Sequence, residues 1–227
     1  MNLFEHNIRK ELLSQSPLST RMRPKKMKDF LGQEHLMKQG EILINLIKNK
    51  TIPSMIFWGP PGTGKTTLAQ LIAEEVGMNF RSMSAVSAGL SDIRKISDEV
   101  INNRTRANNN KTILFLDEIH RFSKSQQDTL LPLVENGVIV LIGATTENPG
   151  FSIINPLISR VKIFRFTPHS SDSIKSLINK ALSDKEIRIS MEKIVLSDDV
   201  LDLIINGSNG DARKALDTLE LSIMSTI

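Results

Sequence analysis

Apolar residues in this chain gather into a few short continuous runs, with helix-spaced stretches between them. Ser54-Met55-Ile56-Phe57-Trp58 is one run, Thr112-Ile113-Leu114-Phe115-Leu116 a second and Val138-Ile139-Val140-Leu141-Ile142 a third. Each is too short for a buried helix and reads as a strand that is apolar on both faces. Helical spacing predicts helices over residues 65–76, 91–103 and 123–135. An earlier one is predicted over residues 35–48, with Leu36, Ile42, Ile44, Leu46 and Ile47 as its apolar positions. Apolar strands alternating with helices predict an α/β fold, a parallel sheet with helices on both faces. After Thr167-Pro168 the character changes, and helices are predicted over residues 173–182, 198–205 and 211–221 with no comparable strand. The expected organisation is a flexible N-terminal segment at 1–16, an α/β core at 17–167 and a small all-helical lid at 168–227. The asparagines at 102–103 and 108–110 predict a polar, flexible loop.

Composition narrows the function classes. A chain of 227 residues with 40% hydrophobic content can bury a sizeable core. No stretch is long and apolar enough to span a bilayer, and the N-terminus shows no apolar core of signal-peptide length. The expectation is a soluble, cytoplasmic protein with no membrane partner. Cysteine is absent, which removes disulfides, thiolate zinc sites and cysteine nucleophiles. Residues 1–50 hold ten Lys/Arg against five Asp/Glu, while the rest hold nineteen against twenty. A basic N-terminal segment suits phosphates or an acidic partner, and equally suits a solvated surface. Aromatic residues are 4% of the chain, too few for a stacking platform for single-stranded bases.

Gly59-Pro60-Pro61-Gly62-Thr63-Gly64-Lys65-Thr66 fits G-x-x-x-x-G-K-[ST], the phosphate-binding loop of nucleotide hydrolases. The glycines let successive main-chain amides turn toward one anion. The helix that follows adds the attraction of its N-terminal dipole. Lys65 can reach the β and γ phosphates of ATP, and the Thr66 hydroxyl can ligate Mg2+. Such a match arises by chance in about one chain in a hundred of this length. Here it also has the required strand before it and helix after it.

Asp117-Glu118 closes the second strand. Ligands of open parallel sheets sit beyond the carboxyl ends of the strands, so this pair shares an edge with the phosphate loop. Asp117 can hold Mg2+, through water, and Glu118 can polarise the water that attacks the γ-phosphate. His120 and Arg121 follow; each could face the site, a surface or packing role is at least as well supported, and neither is taken as catalytic, while Trp58 reads as a packing residue at its strand end. The third strand ends in Gly143-Ala144-Thr145-Thr146-Glu147-Asn148 on the same edge. Thr145 and Thr146 point to opposite sides, so only one can sense the γ-phosphate.

Taken in order, these motifs carry a resemblance. They are residues 59–67, including Thr67, then Asp117-Glu118-Ile119-His120-Arg121-Phe122 and Ile142-Gly143-Ala144-Thr145-Thr146-Glu147-Asn148-Pro149. Pro17-Leu18-Ser19-Thr20-Arg21-Met22-Arg23-Pro24 and Gly32-Gln33-Glu34-His35-Leu36 precede them. From Pro17 onward the chain closely resembles the family of bacterial replication-associated recombination protein A, relatives of the Werner helicase-interacting ATPase and members of the clamp-loader-like AAA+ group. The resemblance implies rings with ATP held between subunits. It implies that Arg160, in Leu157-Ile158-Ser159-Arg160, reaches the γ-phosphate of a neighbouring subunit. It makes Arg213, in Gly210-Asp211-Ala212-Arg213, a second sensor on the lid, and Thr146 the first sensor. It places Arg23, Pro24 and Gln33 over the adenine, and makes Arg94, after Ser84-Ala85-Val86-Ser87-Ala88-Gly89-Leu90, a contact to the DNA backbone. Members of that family continue past the length of this sequence into a C-terminal region that supports oligomerisation, which the chain is expected to lack.

The function so implied is a Mg2+-dependent, DNA-stimulated ATPase acting in replication-fork maintenance, recombination and repair. Its partners would be forked, gapped or junction DNA, further copies of itself and single-stranded DNA-binding protein. Two other readings stand beside it. One is a Holliday-junction branch-migration motor, which shares the Gly-Ala-Thr-Thr strand end. The other is an ATP-switched binding module with incidental hydrolysis.

Overall fold

The structure, a computed structural model, describes residues 16–106, 111–183 and 196–225, with the side chains of 103–106 outside the description. The expected flexible segment at 1–16, Ser16 apart, and the asparagines at 108–110 lie outside the described residues. The chain divides into two compact units, with a boundary at Thr167/Pro168. The first unit runs from Gln33 to Thr167 and includes Lys26–Lys28.

This unit is built on a five-stranded sheet of β1 (Met55–Trp58), β2 (Asn79–Ser84), β3 (Thr112–Asp117), β4 (Val140–Thr145) and β5 (Lys162–Arg165). The order is β2-β3-β4-β1-β5, and every pairing is parallel. Parallel pairing needs a crossover between consecutive strands, and the helices supply it. Successive residues of a strand face opposite sides of the sheet. Ile56, Leu114, Leu116 and Leu141 pack on one side with Ile93 and Val100 of helix Leu90–Arg106, and with Ile119, Phe122 and Leu130. The alternate residues Met55, Phe57, Ile113, Phe115 and Ile142 are equally buried. Helix Lys65–Val76 packs on the sheet against β2, β3 and β4, burying Leu68, Ala69, Ile72 and Ala73. Gly77 in the left-handed region ends it.

Three helical expectations differ in detail from the structure. The single helix expected over residues 35–48 is two, Glu34–Met37 and Ile42–Lys48, separated at Gly40, whose φ of 96° no helix allows. The helix expected over residues 123–135 is also two, Lys124–Asp128 and Leu131–Glu135. Pro132 sits in the first turn of the second, where its missing N–H and fixed φ are tolerated, whereas mid-helix they would not be. Residues 102–103, read both as the end of helix 91–103 and as part of a polar loop, belong to helix Leu90–Arg106. The third apolar strand lies two residues later than expected, at Val140–Thr145, which brings Thr145 into the sheet. β2 and β5 were not expected at all. They are the two edges, with one neighbour each and much exposed side-chain surface, and carry Arg81, Lys162 and Arg165. Charged, short edge strands resist adventitious pairing, and for that reason do not show the apolar runs of the central strands.

The second unit holds helices Ser171–Leu182, Asp198–Ser208 and Ala212–Met224, and its described residues also include 16–25 and 29–32. Helical spacing builds its core: Ile174, Ile178 and Ala181, then Leu201, Ile204 and Ile205, then Ala215, Leu216 and Leu219. Ser170 and Asp211 cap two of the helices by accepting from main-chain N–H groups. The short helix Leu18–Arg21 joins this core through Leu18, fully buried, and Met22. Glu220 accepts from the Leu18 N–H with both carboxylate oxygens, at 3.1 and 3.0 Å, and lies 3.5 Å from Arg21. Residues 17–25 were expected with the α/β core. Their apolar side chains instead complete the helical unit. Among the described residues no helix is long and apolar enough to cross a membrane.

Leu18→Ala should therefore destabilise the helical unit by about 2–5 kcal/mol, the usual cost of truncating a fully buried leucine. Urea unfolding followed by circular dichroism reads this. An unchanged midpoint would mean the N-terminal helix is peripheral to that core.

Candidate functional site

The site begins where β1 ends. Gly59 donates its N–H to the Thr145 carbonyl at 3.1 Å, and the Phe166 N–H reaches the Trp58 carbonyl at 2.6 Å. A Cβ at Gly59 would overlap the Phe166 carbonyl and stand 2.8 Å from the Phe166 Cβ, so only glycine fits here. Trp58 packs beneath the Arg165 guanidinium, 5.3 Å from its ring centroid, in the packing role expected of it.

From this anchored start the chain runs through Pro60 and Pro61, both exposed, to Gly62 and Gly64, at φ of 66° and 92°. These are left-handed conformations that glycine adopts without strain. Thr63, 1% exposed, donates its hydroxyl to the Pro60 carbonyl at 2.9 Å and so closes the loop on itself. Helix Lys65–Val76 starts immediately, with no side chain capping its first turn. Its leading N–H groups are thus presented to whatever anion the loop holds. Lys65 is buried, and its ammonium donates to the carbonyls of Gly59 and Pro60, each at 2.7 Å. Thr66 and Thr67 follow, half-buried.

Register carries the other half of the site to the same edge. Trp58 is level with Thr145 in β4, and Leu116 of β3 is level with Gly143. Asp117 therefore ends its strand beside the end of β4, and Gly59 follows on the other side. Gly143 lies close under Ile119, where an added Cβ would stand 2.9 Å from the Ile119 Cδ1. Asp117 and Thr66 are oxygen donors of the kind Mg2+ prefers. Glu118 leaves the strand with φ of 54° and ψ of 44°, a left-handed backbone at a non-glycine residue. It opens the 3-10 turn Ile119–Arg121, its carbonyl accepting from the Arg121 N–H at 2.8 Å. Backbone strain of this kind concentrates at functional sites.

His120 is one of the two residues after the acidic pair that the sequence left open between facing the site and packing. Its side chain is only 9% exposed. Its Nδ1 lies 3.2 Å from Glu118 Oε2 and 3.0 Å from the Thr145 hydroxyl, and its Nε2 lies 3.6 Å from Glu147 Oε1. A histidine two residues after a Glu that closes a strand was the available signal. Its meaning depended on the 3-10 turn that folds the ring back toward the sheet. Arg121 is exposed.

The remaining expected residues fall as follows. Thr145 is fully buried and Thr146 is exposed. Gln33 is 2% exposed, with φ of 56°. Its amide nitrogen donates to the carbonyls of Thr167 at 2.7 Å and Thr63 at 3.4 Å, while its oxygen accepts from the Thr167 N–H at 2.9 Å. Its side chain is thus engaged in tying the phosphate loop to the end of the unit. Arg160 is exposed. It pairs with Glu135 at 2.5 Å and donates to the Pro156 carbonyl at 2.7 Å. Arg94 projects from helix Leu90–Arg106 and is exposed. Arg23 and Arg213 belong to the helical unit, both exposed, with Arg213 in the first turn of helix Ala212–Met224. A second buried glutamine, Gln127, had no sequence signal. It donates to the Phe122 and Ser152 carbonyls and accepts from the Ile154 N–H, each at 3.0 Å, joining the segment after Glu118 to the one that leads to Arg160.

Comparison with known proteins agrees with this geometry. Residues 22–167 match the family described as the Holliday junction DNA helicase RuvB P-loop domain. The chain is 42% identical over 207 residues to replication-associated recombination protein A of Haemophilus influenzae, covering 91% of this chain and 46% of that protein. It is 43% identical to the protein of the same name from Escherichia coli K12, covering 90% and 45%. It is 40% identical to ATPase WRNIP1 of Dictyostelium discoideum, covering 97% and 24%. The chain thus spans about half the length of the bacterial relatives, or less. The solved Thermotoga maritima RuvB Holliday junction branch migration motor superimposes with a TM-score of 0.66 at 28% identity, over 86% of this chain and 63% of that one. Fold, phosphate loop and sequence agree: the chain belongs to the RuvB-type P-loop family of AAA+ ATPases, where it is similar over nine-tenths of its length to replication-associated recombination protein A.

Proposed function

We propose that this chain is the nucleotide-hydrolysing part of a Mg2+-dependent, DNA-stimulated ATPase that maintains replication forks and acts in recombination and repair. The observation that carries the hydrolytic reading is the meeting of the phosphate loop, its ammonium buried, with the Asp117-Glu118 strand end on one sheet edge. In this reading the loop N–H groups and Lys65 bind the β and γ phosphates. Thr66 and Asp117 hold the Mg2+, which when bound neutralises charge developing on the phosphates. Glu118 orients and deprotonates the attacking water, and Thr146 reads the γ-phosphate from the end of β4. Arg160 serves the site of a neighbouring copy and Arg213 that of its own chain. Arg23 and Gln33 line the adenine end, the latter by holding main chain in place. Arg94 contacts the DNA backbone, where phosphate contacts position a protein without reading sequence. Single-stranded DNA-binding protein is the expected protein partner, and the setting is the cytoplasm, at the nucleoid.

The link to forks and recombination rests on the names of relatives at 40–43% identity. A second reading, a Holliday-junction branch-migration motor, draws on the matching family and on the Thermotoga structure. Its 28% identity makes it the lesser of the two. An ATP-switched binding module is the third, and Glu118 weighs against it, since a pure switch has no use for a water-activating carboxylate.

Steady-state ATP hydrolysis with and without forked, gapped or four-way DNA separates these readings. Glu118→Gln should keep ATP binding and lose turnover by about two orders of magnitude or more. Retained turnover in that variant would sink the assignment of the base. Lys65→Ala should abolish nucleotide binding itself. Arg160→Ala should lower DNA-stimulated kcat by about three to five orders of magnitude in an assembled ring. Arg94→Ala should weaken DNA binding on any sequence and reduce the salt slope by about one contact. Unaltered affinity across a salt series would remove Arg94 from the interface.

A further inference from the structure

We propose that His120 is a positioning residue for Glu118, fixing its carboxylate and tying it to the end of β4 through Thr145 and Glu147. The inference rests on the reading of Glu118 as the water-activating base. It starts from a bonding account of three side chains. The Thr145 hydroxyl accepts from the Glu147 N–H at 3.0 Å and lies 3.3 Å from the Glu147 carbonyl, to which its own proton goes. A hydroxyl has one proton and two lone pairs, so one lone pair remains. The His120 Nδ1 stands 3.0 Å away from that oxygen and 3.2 Å from Glu118 Oε2. An ionised carboxylate only accepts, so a hydrogen on Nδ1 is the arrangement that serves the Glu118 contact, with the Thr145 proton directed to the Glu147 carbonyl. One N–H is then shared between Thr145 and Glu118, and the other ring nitrogen, Nε2, lies 3.6 Å from Glu147 Oε1.

Such a contact has a purpose at this place. Glu118 sits on left-handed backbone just past a strand end, with its side chain a third exposed. A free glutamate there would spread over several rotamers, few of which face a water near the phosphate loop. The His120 ring is 9% exposed and so has little freedom of its own. Engaging Oε2 fixes the carboxylate plane and leaves Oε1 to receive a proton from water. The arrangement also couples two parts of the site. Thr146, the proposed sensor, lies between Thr145 and Glu147, both of which touch the ring. A shift of the β4 end on meeting phosphate would move His120 and with it the Glu118 carboxylate.

Steady-state ATP hydrolysis by His120→Ala and His120→Asn, beside Glu118→Gln, tests this. His120→Ala should lower kcat by about 10- to 100-fold, the scale of a misplacement of about 1 Å, with KM for ATP little changed. His120→Asn places an amide N–H near the Nδ1 position and should recover most of the loss. An unchanged kcat in His120→Ala, or an Asn variant no better than Ala, overturns the proposal. If Glu118→Gln itself retains turnover, the fault lies in the reading of Glu118 and not in His120. A second measurement needs no turnover. Imidazole 15N spectra of the chain, with His120 assigned from its Asn variant, should show a proton on Nδ1 that shifts in Glu118→Gln and in Thr145→Val. A ring with Nδ1 unprotonated, or one indifferent to both substitutions, overturns the proposal independently.

Discussion

Burying a cation is costly unless it is hydrogen-bonded or paired, and Lys65 is buried. The loop offsets part of the cost by turning two of its own carbonyls, Gly59 and Pro60, onto the ammonium. Those carbonyls are in place because Gly59 is wedged between the main chains of Thr145 and Phe166, where no larger residue fits. The shape of the phosphate loop is thus set by the sheet beneath it as well as by its own glycines. Gln33 adds a brace from outside the motif, between Thr63 and Thr167.

The same sheet delivers the residues proposed for hydrolysis. Parallel strands place all their carboxyl ends on one edge, and the register of β1, β4 and β3 brings the phosphate loop, Thr145 and Asp117 side by side. Past the strand end the backbone of Glu118 turns left-handed, and the His120 ring stands 3.2 Å from its carboxylate.

The central strands and the phosphate loop were legible because their signals are local. Continuous apolar runs mark strands buried on both faces, and helix Lys65–Val76 has the bounds its spacing predicted. The edge strands β2 and β5 were not legible, since half-exposed strands with arginines and a lysine look like loops. Gly40 and Pro132 broke two helices that apolar spacing alone had joined. The attachment of Leu18 to a core made of residues some 150 to 200 positions later was beyond any local reading. The functional residues divide in the same way. Lys65, Thr66, Asp117 and Glu118 stand in motifs, whereas His120, Gln33 and Gln127 act through partners that only the folded chain brings to them.

Arg160 has one further consequence. Its guanidinium is held by Glu135 of its own chain, on a surface where both side chains are about two-fifths exposed. Any anion that recruits this arginine must first take it from that carboxylate, so recruitment is an exchange of partners rather than a gain of one. The free energy available is the difference between two pairings, which is small for a weakly charged newcomer and substantial for a polyphosphate held in a dry crevice. Glu135 thereby acts as a threshold. It sets the pairing that any such partner has to displace.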